Sequence, residues 1–202
     1  NGSGKSTLLK CIGGILRPNK GQVRTAGRAV ALIDLLAGFH RELTGRENLS
    51  VVAAMNGMSR KELALRYSDI VDFAELSEKV MDSPLLTYSA GMTLRLGFSV
   101  VIHADPAVLL VDEVLAVGDE AFRLKCLHRI SELLGRGSAG VMVSHDLNLV
   151  PETCDRVMVL HEGRNVFLGP VGEAIDFYLE LTKAFPEDDL SGSGPTEGVG
   201  LS

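Results

Sequence analysis

The sequence predicts an α/β fold with a helical subdomain inserted in it, and three observations carry that prediction. A glycine-rich turn, "NGSGKST", opens directly into residues at helical spacing. Two short apolar runs, "PAVLLVDE" and "AGVMVSH", are bounded by turn residues, as strands buried on both faces of a parallel sheet are. Between the opening turn and these runs, from about residue 45 to 104, the chain has few β-branched stretches and reads as helix.

The elements follow in order. "STLLKCIGGIL" is an amphipathic helix closed by "RPNKG", where Pro18 and Gly21 are stop and turn signals. "GQVRTAGRAVALID" predicts short extended segments around a glycine turn. Thr44-x-x-Glu47 and Ser59-x-x-Glu62 are capping-box patterns, which place helices near 45–56 and 60–73 with the breaker "NGMS" between them. A further helix begins at Ser89 and runs through "AGMTLRLGFSVVIHA". After the first buried strand, "EAFRLKCLHRISELLG" predicts an amphipathic helix ended by Gly135. "DRVMVLHEGRNVFLG" predicts a hairpin around Glu162-Gly163, and "GEAIDFYLELTKAF" a last helix. The first 182 residues are expected to form one domain, and the acidic, small and polar residues 183–202 a disordered tail.

Composition narrows the function. With 202 residues, 46% of them apolar, the chain can bury one good-sized core. A net charge of -6 argues against a nucleic-acid surface, which needs clustered Lys and Arg. Cys11, Cys126 and Cys154 lack metal-site spacing and are expected to be buried thiols in a reducing compartment. No stretch approaches the roughly 18 uninterrupted apolar residues of a membrane span, so any work at a membrane falls to a peripheral subunit.

Four stretches carry chemistry. "NGSGKST" matches the phosphate-binding pattern G-x-x-x-x-G-K-[ST] from its second glycine onward, with the first glycine falling two residues before Asn1. Such a turn presents the backbone N–H groups of Asn1, Gly2, Ser3 and Gly4 and a helix N-terminus to phosphates. Lys5 would reach the β- and γ-phosphates, and the Ser6 hydroxyl would complete the coordination of Mg²⁺. In "AVLLVDE" a buried strand places Asp112 at its tip, where a carboxylate can hold Mg²⁺ through water, and Glu113 beside it can orient or deprotonate an attacking water. In "VMVSHD", His145 stands at a second strand tip, able to donate to a γ-phosphate. "TYSAGMTLRLGFSV" sets a serine and a glycine at a helix start more than eighty residues from the first, a second phosphate-reading helix end. One nucleotide needs two such ends only if the second serves a nucleotide held by another copy of the chain.

Together these residues resemble the ATPase subunit of an ABC transporter over roughly residues 1 to 170. "NGSGKST" is similar to its Walker A motif, "SAGM" to its signature, "VLLVDE" to its Walker B motif, "AVGDEAF" to its D-loop region and "SHD" to its switch histidine, all in family order. "YSAGM", "GFHRELTGREN", "VDEVLAVGDEAF" and "GEAIDFY" resemble the subgroup that exports O-antigen, capsule and teichoic acid. The resemblance implies a P-loop NTPase core of RecA-like type with a helical signature-motif subdomain. It implies ATP and Mg²⁺ as cofactors and head-to-tail pairing of two copies. Each ATP would lie between Lys5, Ser6 and Thr7 of one chain and Ser89, Gly91 and Met92 of the other, with Asp119 of the D-loop also at the nucleotide. Ser6 and Asp112 would serve the metal, and Glu113 and His145 would catalyse. The partner it implies is a separate transmembrane permease, which places the subunit peripherally on the cytoplasmic face of the cell membrane.

Three departures from the family pattern stand out. Ala90 replaces the small residue usual in Y-S-S-G-M. The glutamine of the Q-loop is missing near Asp34 or Leu35, and Asp34 is the substitute by position. The front of the Walker A motif, its feeding strand and the aromatic that stacks on adenine are expected upstream of Asn1, so the intact protein would hold nucleotide better than this chain. A soluble ABC-type ATPase acting on ribosomes or DNA is the competing class. Such proteins carry two cassettes or a long coiled coil, and this chain has neither. A small-molecule kinase has no use for "YSAGM", and a catalytically dead subunit would lack Glu113 or His145.

Overall fold

The computed structural model of the chain describes residues 3–33, 35–112, 119–144 and 146–184. Its contacts define two units, Lys5–His145 on one side and Asn1–Gly4 with Asp146–Ser202 on the other. Asn1, Gly2, Asp34, Glu113, His145 and the tail from residue 185 lie outside the described residues.

The larger unit begins with helix α1, Lys5–Ile12, followed by strand β1, Ala29–Leu32. Helices α2 (Gly45–Met55), α3 (Arg60–Ala74) and α4 (Glu78–Met81), a 3₁₀ turn at Leu85–Thr87, and α5 (Ala90–Ile102) come next. Strand β2 (Val108–Val111), helix α6 (Glu120–Gly135) and strand β3 (Ala139–Met142) complete it. The three strands pair in parallel in the order β1-β2-β3, with Ala29, Val108 and Ala139 in register. Leu109 and Leu110 of the central strand are fully buried, which is why "VLLV" shows no polar alternation.

Local sequence sets the helix starts. At α2 the Thr44 hydroxyl accepts from the Glu47 N–H at 3.2 Å while the Glu47 carboxylate accepts from the Thr44 N–H at 2.8 Å. Ser59 and Glu62 repeat the arrangement at α3, at 3.2 and 2.7 Å. Each cap contributes about 1 kcal/mol. Helix α5 differs from the others because its last seven residues, Leu96–Ile102, are all buried. It runs through the middle of a core that takes Leu49 and Val52 from α2, Ile70 and Val71 from α3, Phe122 and Leu133 from α6, and Val30 and Leu109 from the sheet. Gly97 lets it do so, since a Cβ there would lie 2.5 Å from the Leu35 carbonyl oxygen. Arg28, just before β1, donates to the carbonyls of Ala104 and Gly57 and pairs with Glu62, joining the sheet to the ends of α2 and α5.

Asn48 is a polar residue with no exposed surface. Its Oδ1 accepts from the His40 N–H at 2.7 Å, and its Nδ2 donates to the carbonyls of His40, Leu43 and Thr44 at 2.9–3.1 Å. One side chain thereby replaces a strand partner for the loop between β1 and α2.

The smaller unit holds α7 (Val150–Thr153), strands β4 (Arg156–His161) and β5 (Arg164–Pro170) and helix α8 (Val171–Ala184). The hairpin turns at Glu162 and Gly163, both at positive φ (46° and 74°), as a two-residue type I′ loop requires. Phe167 of β5 stacks on Phe177 of α8 with centroids 5.2 Å apart. The Gly163 N–H donates to the Ser3 carbonyl at 3.2 Å.

Several expectations are corrected. Of the extended segments expected over residues 21–34, only Ala29–Leu32 joins a sheet. The stretch 17–27 offers just Val23 and Ala26 as apolar residues, too few to bury a strand face. The helix expected to end at Gly135 does end there, and the left-handed residue beyond it is Gly137 at φ 100°. The sequence reading omits α4, α7 and the 3₁₀ turn, each a turn or so long, below the reach of periodicity. All three cysteines are free, yet only Cys126 is buried, and burial pushes its thiol up to about 12.

Asn48→Ala leaves the His40 N–H without its acceptor and takes a side-chain donor from the carbonyls of His40, Leu43 and Thr44, which keep backbone partners, and is expected to cost about 1–3 kcal/mol in a urea titration followed by circular dichroism. The capping carboxylates contribute to the acid limit of stability, as do Asp119, Glu120 and Glu132, which are also held below their ordinary values. Glu47 is held below its ordinary value chiefly by the Thr44 N–H, and Glu62 is held at about 2 chiefly by the Ser59 N–H. Both are lowered in the folded state, so their contribution is present above the ordinary carboxylate range and lost as pH falls through the lowered values. Thermal stability should therefore hold down to about pH 5 and fall below it, with a shallower fall in Glu62→Gln.

Candidate functional site

Gly4 has φ 94°, a left-handed turn that delivers the chain into α1 at Lys5. Lys5, Ser6 and Thr7 form the first turn of that helix, where backbone N–H groups have no intrahelical acceptor and the positive end of the helix dipole lies. Ser6 and Thr7 are exposed and Lys5 is half-buried. The far end of α1 lies against the sheet: a Cβ on Gly13 would stand 3.1 Å from Leu110 Cδ1 and 3.7 Å from Ala31 Cβ.

Asp112 follows the last residue of β2, the central strand, so it stands in the middle of the carboxyl edge of the parallel sheet. On the neighbouring strand the Val143 N–H donates to the Val111 carbonyl at 2.9 Å, which brings Ser144 to the same edge. Open α/β sheets bind their ligands at this edge. Glu113 and His145, next in sequence to Asp112 and Ser144, are not among the described residues.

The second helix end is that of α5. Ser89 is its N-cap, its hydroxyl accepting from the Met92 N–H at 3.1 Å, and Ser89 and Ala90 are exposed. Above Gly91 the space is open, since the nearest atom to a Cβ there would be the Ser89 hydroxyl at 3.9 Å. Tyr88 fixes this end from below. Its hydroxyl donates to the Val80 carbonyl at 2.7 Å, and burial pushes it up to about 12. The ring fits only because residue 45 is glycine: a Cβ on Gly45 would lie 2.1 Å from the Tyr88 hydroxyl and 3.0 Å from Cζ. "TGREN" and "YSAGM" are thus two halves of one contact.

Asp119 uses its two carboxylate oxygens differently. Oδ1 accepts from the Phe122 N–H at 2.9 Å and caps α6, and Oδ2 pairs with Arg95 of α5 at 2.5 Å. The Phe122 N–H, followed by Arg95, holds its carboxyl below the usual range. The motif reading left out Arg95, Tyr88 and Gly45. Arg95 had a signal in the sequence: a single guanidinium inside the apolar run "AGMTLRLGFSVVI" requires acidic partners.

Gly45→Ala would press on a ring that cannot swing away and is expected to destabilise the chain by about 1–3 kcal/mol in thermal unfolding, whereas Gly135→Ala, with nothing within 4 Å of the new Cβ, should be neutral or stabilising.

A family model described as ABC transporter matches residues 1–116. The chain is 43% identical over 178 residues to the O-antigen export system ATP-binding protein RfbB of Klebsiella pneumoniae, covering 88% of this chain and 72% of that protein. It is 41% identical to the protein of the same description in Myxococcus xanthus, over 99% of this chain and 46% of the relative. To the teichoic acids export ATP-binding protein TagH of Bacillus anthracis it is 40% identical, over 92% of this chain and 33% of the relative. Among solved structures, an ATP-binding subunit of an ABC transporter superposes with TM-score 0.73 at 24% identity, covering 90% of this chain and 85% of the other. A dimeric ATP-binding cassette in a post-hydrolysis state with ADP and Pi superposes with TM-score 0.64 at 21% identity, over 84% and 81%. These two likenesses bear on the fold, which is the P-loop NTPase fold of ABC ATPase domains. With its glycine turn into α1, its acid at the central strand tip and its serine-capped α5, the chain belongs to the ABC transporter family, on the ATP-binding side.

Proposed function

We propose that the chain binds and hydrolyses ATP as the cytoplasmic subunit of an exporter, pairing head to tail with a second copy to drive a polysaccharide or lipid-linked glycan through a separate permease. The observation that carries this reading is the pair of open helix ends in one unit, α1 behind Gly4 and α5 behind Ser89, with Asp112 at the central strand tip. A nucleotide needs one such end for its β- and γ-phosphates. The second fits the γ-phosphate of a nucleotide held by another copy.

The donor set suits ATP with Mg²⁺. Among the described residues no group of three or more His, Cys, Asp or Glu side chains could hold a metal ion alone. A Mg²⁺ ion would take the Ser6 hydroxyl and the Asp112 carboxylate, through water, and fill its remaining positions with phosphate oxygens. When bound, Mg²⁺ with its nucleotide supplies charge neutralisation at the terminal phosphate. Lys5 adds a fixed positive charge there, and the first-turn N–H groups of α1 orient the phosphate oxygens; Asn1, Gly2, Ser3 and Gly4 are assigned to the same phosphates by their place in the motif. Glu113 is assigned the proton of the attacking water and His145 a hydrogen bond to the γ-phosphate. Ser89, Gly91 and Met92 of the partner copy, with Asp119 nearby, complete the site. Asp34 stands in for the Q-loop glutamine, and residues 1–182 form the ATPase domain with residues 45–104 as the helical part that addresses the permease. The glycan class rests on the descriptions of the Klebsiella, Myxococcus and Bacillus relatives. Peripheral attachment agrees with the described helices, none of which is long and apolar enough to cross a membrane.

In the full-length protein, Glu113→Gln should leave ATP binding intact, lower kcat at least about a hundredfold and trap an ATP-bound dimer in size-exclusion chromatography. Lys5→Ala should instead weaken ATP binding itself. Unchanged hydrolysis in Glu113→Gln rejects the assignment, and a gene standing alone, without a multi-span permease beside it, counts against export.

A further inference from the structure

Arg95 is the one charged residue of α5, lodged among apolar neighbours with its side chain only 21% exposed. Its planar fork spans two carboxylates on two other elements: Nη1 to Glu75 at 2.5 Å and Nη2 to Asp119 at 2.5 Å. The guanidinium also lies over the Phe122 ring, 5.0 Å from its centroid. Charge-assisted bonds on both arms and an aromatic face beneath fix its orientation as a lone surface pair would not.

Glu75 supplies the second observation. It caps the C-terminus of α3 in the left-handed region, φ 58° and ψ 39°, a place that suits glycine or asparagine. A glutamate there carries a backbone cost, and its side chain shows what it does in return. One carboxylate oxygen takes Arg95, and the other takes the Lys125 ammonium at 3.2 Å. Lys125 in turn donates to the Phe73 carbonyl at 2.9 Å and lies over the Phe73 ring at 4.6 Å. Asp119 is equally constrained, because its other oxygen caps α6. Three helices therefore meet at one guanidinium. Ser89, Gly91 and Met92 stand about one to two turns from it along α5.

We propose that Arg95 is a positioning residue: anchored by Glu75, it locks the open end of α5 and Asp119 into one rigid face, so that both meet a second copy in fixed register. The proposal rests on the head-to-tail reading. Without the guanidinium, two carboxylates are left near one another with no charge between them, and Asp119 is held only by the helix-capping N–H groups of Phe122 and Ala121. Among the described residues, the Arg95 side chain reaches Glu75, Asp119 and the Phe122 ring, none of them on α1. Loss of Arg95 should therefore spare nucleotide binding by one chain and impair only the step that needs two.

The test is made on the full-length protein. Arg95→Ala should keep the ATP dissociation constant of the single chain within about twofold while kcat falls about tenfold, the scale expected when a reacting group is misplaced by a fraction of its contact distance. Arg95→Lys should recover only part, since an ammonium cannot span both acids. Glu75→Gly separates positioning from folding: glycine accepts φ 58° without strain, so the melting temperature should hold or rise while kcat falls. Wild-type kcat in Arg95→Ala or in Glu75→Gly overturns the proposal. So does a loss of activity that tracks an equal loss of thermal stability or of ATP affinity. A wild-type protein with no Lys5-dependent ATP turnover overturns the functional reading itself, and this proposal with it.

Discussion

The structure of the larger unit depends on one constraint, that α5 must be core at one end and open at the other. Seven consecutive buried residues put its second half in contact with both the helical layer and the sheet. Its first turn must nevertheless expose unpaired N–H groups to have any use for phosphate. The two demands meet over thirteen residues. Gly97 admits the Leu35 carbonyl to the helix surface, and Tyr88 on Gly45 holds the entry point, while Arg95 at the boundary turns toward acids rather than water. A shift of α5 by one residue would carry Arg95 away from its acids and Ser89 off its cap, so the register of this helix sets where its open end lies.

Much of this was legible from the residues. Both capping boxes were plain because four residue types at fixed spacing name both donor and acceptor, and the structure closes them as written. The buried strands were legible because a two-sided sheet removes polar alternation. The helix end at Ser89 was legible from its cap and the glycine beyond it. What escaped was non-local. Nothing in "TGREN" announces that its glycine makes room for a tyrosine more than forty residues later, or that Glu75 sits left-handed because Arg95 and Lys125 claim its oxygens. Propensity also misled at residues 21–27, where extended character exists without an apolar face to bury.

The charges of the unit follow the same logic. Most of its ion pairs are exposed and contribute little by themselves. Those that span elements do more by joining than by attraction: Arg28 ties the sheet to α2, α3 and α5, Arg46 ties α2 to α4, and Arg95 ties α5 to α3 and α6. Arginine serves in each case because its fork reaches two acceptors at once. Arg28 thus holds the helical layer to the sheet, and Arg46 and Arg95 join helices to one another, around a continuous apolar core.

The central claim is that the α1 end and the α5 end of one chain act on different nucleotides. Mixing two inactive full-length variants tests it most directly, Lys5→Ala with its α1 end disabled and Ser89→Arg with its α5 end blocked. In a head-to-tail pair, the mixed dimer carries both defects in one site and none in the other. ATP turnover should therefore reappear on mixing, at about a quarter of the wild-type rate if chains pair at random. If both ends serve a nucleotide within one chain, every site in the mixture is defective, and turnover that stays at the level of the separate variants contradicts the claim.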